Sequence, residues 1–384
     1  MFYKAVFSTL FLSLISPLTF GHTFENDRQL DMHGTIRFQY SHNDYLEDHG
    51  NDINFSDAVL WLNYRHDQFN AHLDYRVYQQ DHLGEMNFPV QAWVSYNISP
   101  QQTLTAGLQN TPIGYNRYDS HTYNMTLLYS LGLEDVNNWG ISYQYRPDLF
   151  NFTAGYFFHD AGSYSGQTDS VAHYSGNFAR EHDSSIGTQL KEKHLITAKI
   201  DKNFDYQIKN SAVKTNVGAT YLHSTLDNLK TQKTGQRDVW TVYQNTEWNQ
   251  FGFNLIYGQQ NIDNQDAGSP TASTFGLFDC LYDVANQGSF VSTEINYKIS
   301  FEIKNLKNTM LYSHYSRYFD KSSHAPDSER AINGIYTLYK DHVGLYLEHI
   351  SARNDTFFGA NNGYANSTSN QWNHMLYLSL GYYF

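Results

Sequence analysis

Residues 371–384, which end the chain, read QWNHMLYLSLGYYF. Taken in steps of two, Leu376, Leu378, Leu380, Tyr382 and Phe384 fall on one side, and Met375, Tyr377, Ser379, Gly381 and Tyr383 on the other. Successive side chains of a strand point to opposite faces, so this stretch predicts a strand with one wholly apolar or aromatic face and one mixed face.

The same logic holds for the whole composition. Of 384 residues, 16% are aromatic, with 32 Tyr and 25 Phe, and only 7 are Pro. Mean hydropathy is nevertheless -0.58, with 40% hydrophobic residues, so apolar side chains alternate with polar ones instead of running together. A barrel that turns its apolar face outward produces that combination. A formal net charge of -13 argues against a nucleic-acid partner, which needs basic groups to neutralise phosphates. Cys280 stands alone, which excludes an intramolecular disulfide and argues against a Cys-based zinc site.

At the other end, Lys4 is followed by the apolar stretch 5–18 and then by Thr19, Phe20 and Gly21. This is the layout of a secretory signal, and at about 14 residues the apolar part is shorter than the ~20 that span a bilayer as a helix. The expectation is a signal peptide over 1–21, cleaved before His22, and a single mature domain over 22–384.

Between the ends, alternating segments of about ten residues recur, the weak signal left by strands of a transmembrane barrel. In 31–41, Ile36, Phe38 and Tyr40 face lipid while Thr35, Arg37 and Gln39 face inward. In 53–66, Leu60, Leu62 and Tyr64 alternate with Trp61, Asn63 and Arg65. The clearest case is Phe69, Ala71, Leu73, Tyr75 and Val77 against Asn70, His72, Asp74, Arg76 and Tyr78. In 88–98, Val90, Ala92, Val94 and Tyr96 take the outer face. Further strands are read over 101–109, 139–146, 150–159, 193–204, 213–225, 239–248, 251–260, 290–301, 306–319, 331–340, 342–353 and the final stretch, about sixteen in all. Short connections, such as 67–68, 99–100, 249–250 and 340–341, alternate with long ones, such as 42–52, 80–87, 111–138, 160–192, 226–236 and 261–289. Short periplasmic turns and long outer loops are the habit of such barrels, and the alternation puts both termini on the periplasmic side. The fold class expected is all-β: a transmembrane antiparallel barrel.

Two resemblances bear on this. The alternating, Phe-terminated strand 371–384 resembles the C-terminal signature by which outer-membrane barrels are recognised for assembly. Residues 104–114, LTAGLQNTPIG, resemble the strand-to-loop junction of trimeric Gram-negative porins, of the phosphate-selective and dicarboxylate types, where a Gly-Gln strand ends in a Pro-x-Gly turn. That resemblance implies a sixteen-stranded homotrimer in the outer membrane, in contact with lipid and lipopolysaccharide, passing small hydrophilic solutes or ions without a cofactor. It also implies that 111–138 folds back into the lumen, bringing Asp119, Glu134 and Asp135 to a constriction, with Arg117 and His121 beside them. Arg37, Arg65 and Arg76 share lumen parity on three consecutive strands and would oppose those carboxylates. With Asp74 two residues from Arg76 on the same face, a structural ion-pair network is an equally good reading. The porins selective for phosphate carry dense rows of Lys and Arg, and this chain, with 25 Lys+Arg, lacks one, so a mildly cation-preferring or solute-specific pore is expected.

Two other classes use the same scaffold. Outer-membrane phospholipases place a His-x-Ser pair on an exposed strand, and His314-Tyr315-Ser316 and His349-Ile350-Ser351 have that spacing, but neither has an Asn before its His. Among 18 His such pairs arise by chance, and His42, Asp44 and His49 in the first long loop are read as solvated, with no metal expected. Adhesin barrels are commonly narrow, whereas about sixteen strands enclose an aqueous passage, so transport is favoured over catalysis or adhesion.

Overall fold

The computed structural model describes residues 20–24, 28–47, 49–51, 53–80, 84–161, 173–180, 187–278, 280–301, 304–359, 364–366 and 370–384. Residues 1–19, most of the expected signal peptide, lie outside the described residues, and Phe20–Phe24 forms a short strand, β1.

The strands that follow are β2 (Arg28–Asn43), β3 (Ile53–His66), β4 (Phe69–Gln80), β5 (Gly84–Ser99), β6 (Gln102–Asn110), β7 (Asn137–Tyr145), β8 (Asn151–Asp160) and the two-residue β9 (Asn177–Phe178). Next come β10 (Leu190–Ile208), β11 (Ser211–Asn228), β12 (Thr234–Trp248), β13 (Phe251–Asp263), β14 (Ala272–Leu277), β15 (Cys280–Ala285) and β16 (Gln287–Lys298). The last are β17 (Leu306–Phe319), β18 (Ser328–Tyr339), β19 (Val343–Arg353) and β20 (Trp372–Tyr383). Among the described residues one helix, α1, spans Leu127–Ser130.

Sixteen of these strands form a closed antiparallel barrel. Neighbours in sequence pair throughout, β8 pairs with β10, β13 with β16, and β20 returns to β2. At the seam Phe384 N donates to Gly34 O and Gly34 N to Phe384 O, both at 3.0 Å. A Cβ on Gly34 would lie 2.6 Å from Phe384 Cζ, so the terminal ring packs where only glycine leaves room. Closure matters in lipid because an open edge would leave backbone groups without partners.

The alternation is inside out. On β20, Leu376 and Leu380 are more than 40% exposed on the outer surface, while Tyr377 and Ser379 are buried toward the interior. Phe38, Val94, Ile295 and Leu311 continue the outer apolar surface, and Thr35, Asp57, Asp74, Thr220, Ser292 and Glu348 the buried inner one. The expected strands all exist, with several running further than expected. β11 reaches Asn228 and β12 begins at Thr234, so the connection expected over 226–236 shrinks to 229–233. Near their ends these strands carry Asp227, Asp238 and His223 on the outer face, so the hydrophobic alternation fades while the ladder continues.

The interior also departs from a uniformly polar lumen. Leu222, Leu226, Val239, Ile262 and Phe290 point inward and are buried against loop residues such as Leu127, Leu131, Phe275 and Tyr282. A small sheet of β9, β14 and β15 lies in this cluster. On β5, Val90, expected on the outer face, is 1% exposed, and Met86 and Phe88 are fully buried in the same cluster. The register shifts between Asp74 and Tyr75 opposite Gln91 and Pro89, and such a bulge reverses which residues face inward beyond it.

Candidate functional site

The segment 111–136 joins β6 to β7, and its neck is closed by Thr111 N donating to Val136 O at 2.8 Å. Gly114, in the Pro-x-Gly turn, has φ +66 and a Cβ there would meet Asp119 Oδ1 at 2.7 Å, so glycine is required on two grounds. From there the chain makes successive bonds to inward side chains of the wall. His121 N donates to Glu294 on β16 at 2.7 Å, and Tyr123 N and Asn124 N donate to Glu348 on β19 at 2.6 and 3.0 Å. Leu127 N donates to Ser316 Oγ on β17 at 3.2 Å, and Arg330 on β18 donates to Met125 O at 2.6 Å. In a ring of sixteen, β17 is eight places from β6, so the segment reaches the wall opposite its own root. On the return, Arg237 of β12 donates to Leu131 O at 2.9 Å, just past α1. Lys199 on β10 donates to Tyr115 O at 2.8 Å.

Three groups of charged residues are ion-paired around the segment. Asp74 accepts from Arg76 through both oxygens, at 2.9 and 2.8 Å, and from Arg117 at 3.2 Å. Arg117 also pairs with Asp135, which accepts from Tyr174 at 2.7 Å, and Tyr174 accepts from Arg76 at 2.7 Å. Two guanidiniums and two carboxylates thus close a ring that ties the segment to β4. Arg37 pairs with Asp57 on β3 at 2.6 Å, and Tyr123 OH donates to the other oxygen of Asp57. Arg330 grips Asp355 through both oxygens, at 2.7 and 3.0 Å.

Glu134 and Asp119 are buried together inside the segment. Glu134 accepts from Asp119 N at 3.2 Å and from Thr126 N and Oγ1 at 3.2 and 2.5 Å, holding the start of α1. Asp119 Oδ2 has no hydrogen-bond partner among the described residues. Burial pushes Glu134 up to about 7 and raises Asp119 well above the usual carboxylate range, with Glu134 adding to the shift of Asp119. Arg65 lies elsewhere: it pairs in register with Asn70 next to the turn at 67–68 and is exposed. Asp57, the partner of Arg37, was legible, since it has the same parity as Trp61 and Asn63. Arg330, Asp355 and Tyr174 carried no comparable signal, because their roles depend on long loops.

Two open volumes lie against the segment. One, about 600 Å³, is bordered by Arg37, Tyr123, Arg330, Tyr336 and Tyr346. The other, about 520 Å³, is bordered by Trp93, Gln109, Arg117, Arg146 and Lys199. The His-x-Ser pairs are placed differently. Ser316 is buried inward and accepts from the segment's main chain, and His314 bonds Ser292 at 2.9 Å. Ser351 bonds His374 at 2.9 Å, with His349 stacked on that ring. Among the described residues no cluster of side chains could hold a metal, and His42 and His49 bond Asn51 and the Asn43 carbonyl.

No known family profile and no curated protein matches the sequence. Solved structures do match in shape. The outer-membrane channel DcaP of Acinetobacter baumannii superposes with a TM-score of 0.58 at 11% identity, covering 95% of this chain and 99% of that one. The anion-selective porin from Comamonas acidovorans gives 0.58 at 12%, covering 93% and 100%. OmpT of Vibrio cholerae gives 0.53 at 14%, covering 95% and 100%. The fold is that of the outer-membrane porins. The outward apolar surface is that of a barrel set in a lipid layer.

Proposed function

We propose that the barrel is a porin, a water-filled channel for passive diffusion of small hydrophilic solutes or ions, narrowed by the inward-folded segment 111–138. The observation that carries this reading is the set of bonds from that segment to β16, β17, β18 and β19, across the barrel from its root. Sixteen strands enclose an interior wide enough for an aqueous path, and a strap across it leaves passages on its flanks. The groups assigned to the constriction and lumen are Arg37, Asp74 and Arg76 on the wall and Arg117, Asp119, Glu134 and Asp135 on the segment, with Arg65 at the rim. The protein works as a homotrimer embedded among lipid and lipopolysaccharide, and its mature form begins at His22 after export. No covalent step and no cofactor enter this mechanism.

Osmotic swelling tests it. Proteoliposomes containing the folded barrel should swell in small neutral solutes and lose that response as solute size grows. Swelling no faster than that of protein-free vesicles would remove the channel reading.

A further inference from the structure

Building on the porin reading, we infer that the 600 Å³ vestibule beside segment 111–136 is a binding site for a neutral, polyhydroxylated solute of mono- to disaccharide size.

Its size falls in the range of ordinary ligand pockets. Its charge points away from ions. Arg37, Arg76 and Arg330 border it, and each is held by a wall or loop carboxylate: Asp57 at 2.6 Å, Asp74 at 2.8 Å and Asp355 at 2.7 Å. Three cations against three anions leave no net charge from these pairs. His121 is engaged by Glu294 at 2.6 Å, and Glu348 takes its four bonds from Tyr123 N, Asn124 N, Asn124 Nδ2 and Tyr312 OH. An anionic solute would have to break a buried ion pair to reach a guanidinium, which is costly.

What the vestibule does offer is aromatic surface. Four tyrosines form a continuous run: Tyr336 to Tyr346 at 4.6 Å between ring centres, Tyr346 to Tyr123 at 5.3 Å, and Tyr123 to Tyr377 at 5.3 Å, nearly parallel. The run crosses from β18 and β19 over the loop segment to β20. Tyr336 and Tyr346 are only half-buried, and their hydroxyls carry no hydrogen bond from the described residues. Tyrosine joins an apolar face to a polar tip. The C–H faces of a sugar ring stack on such faces, and its hydroxyls pair with the phenol groups. A small dicarboxylate has no ring face to lay on that run of tyrosines.

The test is equilibrium titration of the detergent-solubilised, folded barrel with cellobiose and, separately, with succinate, read as the change in tryptophan fluorescence, Trp61 being the tryptophan that borders the vestibule. Saturable binding of cellobiose, weakened about tenfold in Tyr346→Ala and largely kept in Tyr346→Phe, is expected. Binding of succinate in preference to cellobiose, no saturable response to cellobiose in a folded barrel, or equal affinity in Tyr346→Ala would each overturn the inference. Ion conductance of the same preparation reports on the porin reading separately. A conducting barrel that ignores cellobiose refutes the site alone, and a barrel that binds cellobiose without conducting refutes the channel alone.

Discussion

Asp74 holds two guanidiniums at once, Arg76 from the wall and Arg117 from the loop, and its side chain is fully buried. Asp74→Asn leaves Asp135 alone to balance both cations. A buried pair broken from one side costs about 3–5 kcal/mol, so the melting temperature of the solubilised barrel should fall. In bilayers the reversal potential should move toward anions. Arg65→Gln, altering an exposed residue at the rim, should leave the reversal potential where it was; a shift there as large as that of Asp74→Asn would contradict this placement. Glu134 gives a pH dependence with a defined sign. Its folded value is raised to about 7 from an ordinary 4.5, so its contribution is complete below the ordinary carboxylate range and is lost as pH rises through about 7. The segment should therefore loosen toward alkaline pH, seen as growing current noise, and Glu134→Gln should flatten that dependence. Noise that rises toward acid, or is unaffected by the substitution, would exclude Glu134 as its source.

At the level of elements, the short helix α1 rests on an anchor it cannot supply itself. Leu131 O and Gly132 O, just past its end, accept from Arg237, which is buried with Glu192 on β10. Arg237→Met orphans both carbonyls and leaves Glu192 buried without its cation. The expected result is a barrel that assembles but is cut by protease within 127–133, where the natural chain resists; equal resistance would show that the apolar packing of α1 suffices. Elements also mark where sequence stops being informative. Alternation found the sixteen strands because each crosses a lipid layer that accepts only apolar outer residues, as Phe38, Ile295 and Leu380 show. It placed Val90 on the wrong face because a one-residue bulge reverses parity while leaving the hydrophobic pattern unchanged. Leu222, Leu226 and Val239 alternate correctly but pack on loops, not lipid or water, and nothing local distinguishes the three destinations. For the candidate site, Arg37, Asp74 and Arg76 were legible from parity. The ring through Arg117, Asp135 and Tyr174 was not, since it joins β4 to two loops far apart in sequence.

For the whole molecule, a closed cylinder with an apolar outer surface is crossed inside by one segment and filled further by the sheet of β9, β14 and β15. The central claim is that segment 111–136 controls the passage, and single-channel recording in planar bilayers tests it most directly. The natural chain should give discrete conductance steps, and a chain with residues 115–133 replaced by a short Gly-Ser link should give steps several-fold larger in a barrel that remains folded. Steps of unchanged size after that replacement, or none from the folded natural chain, would contradict the account.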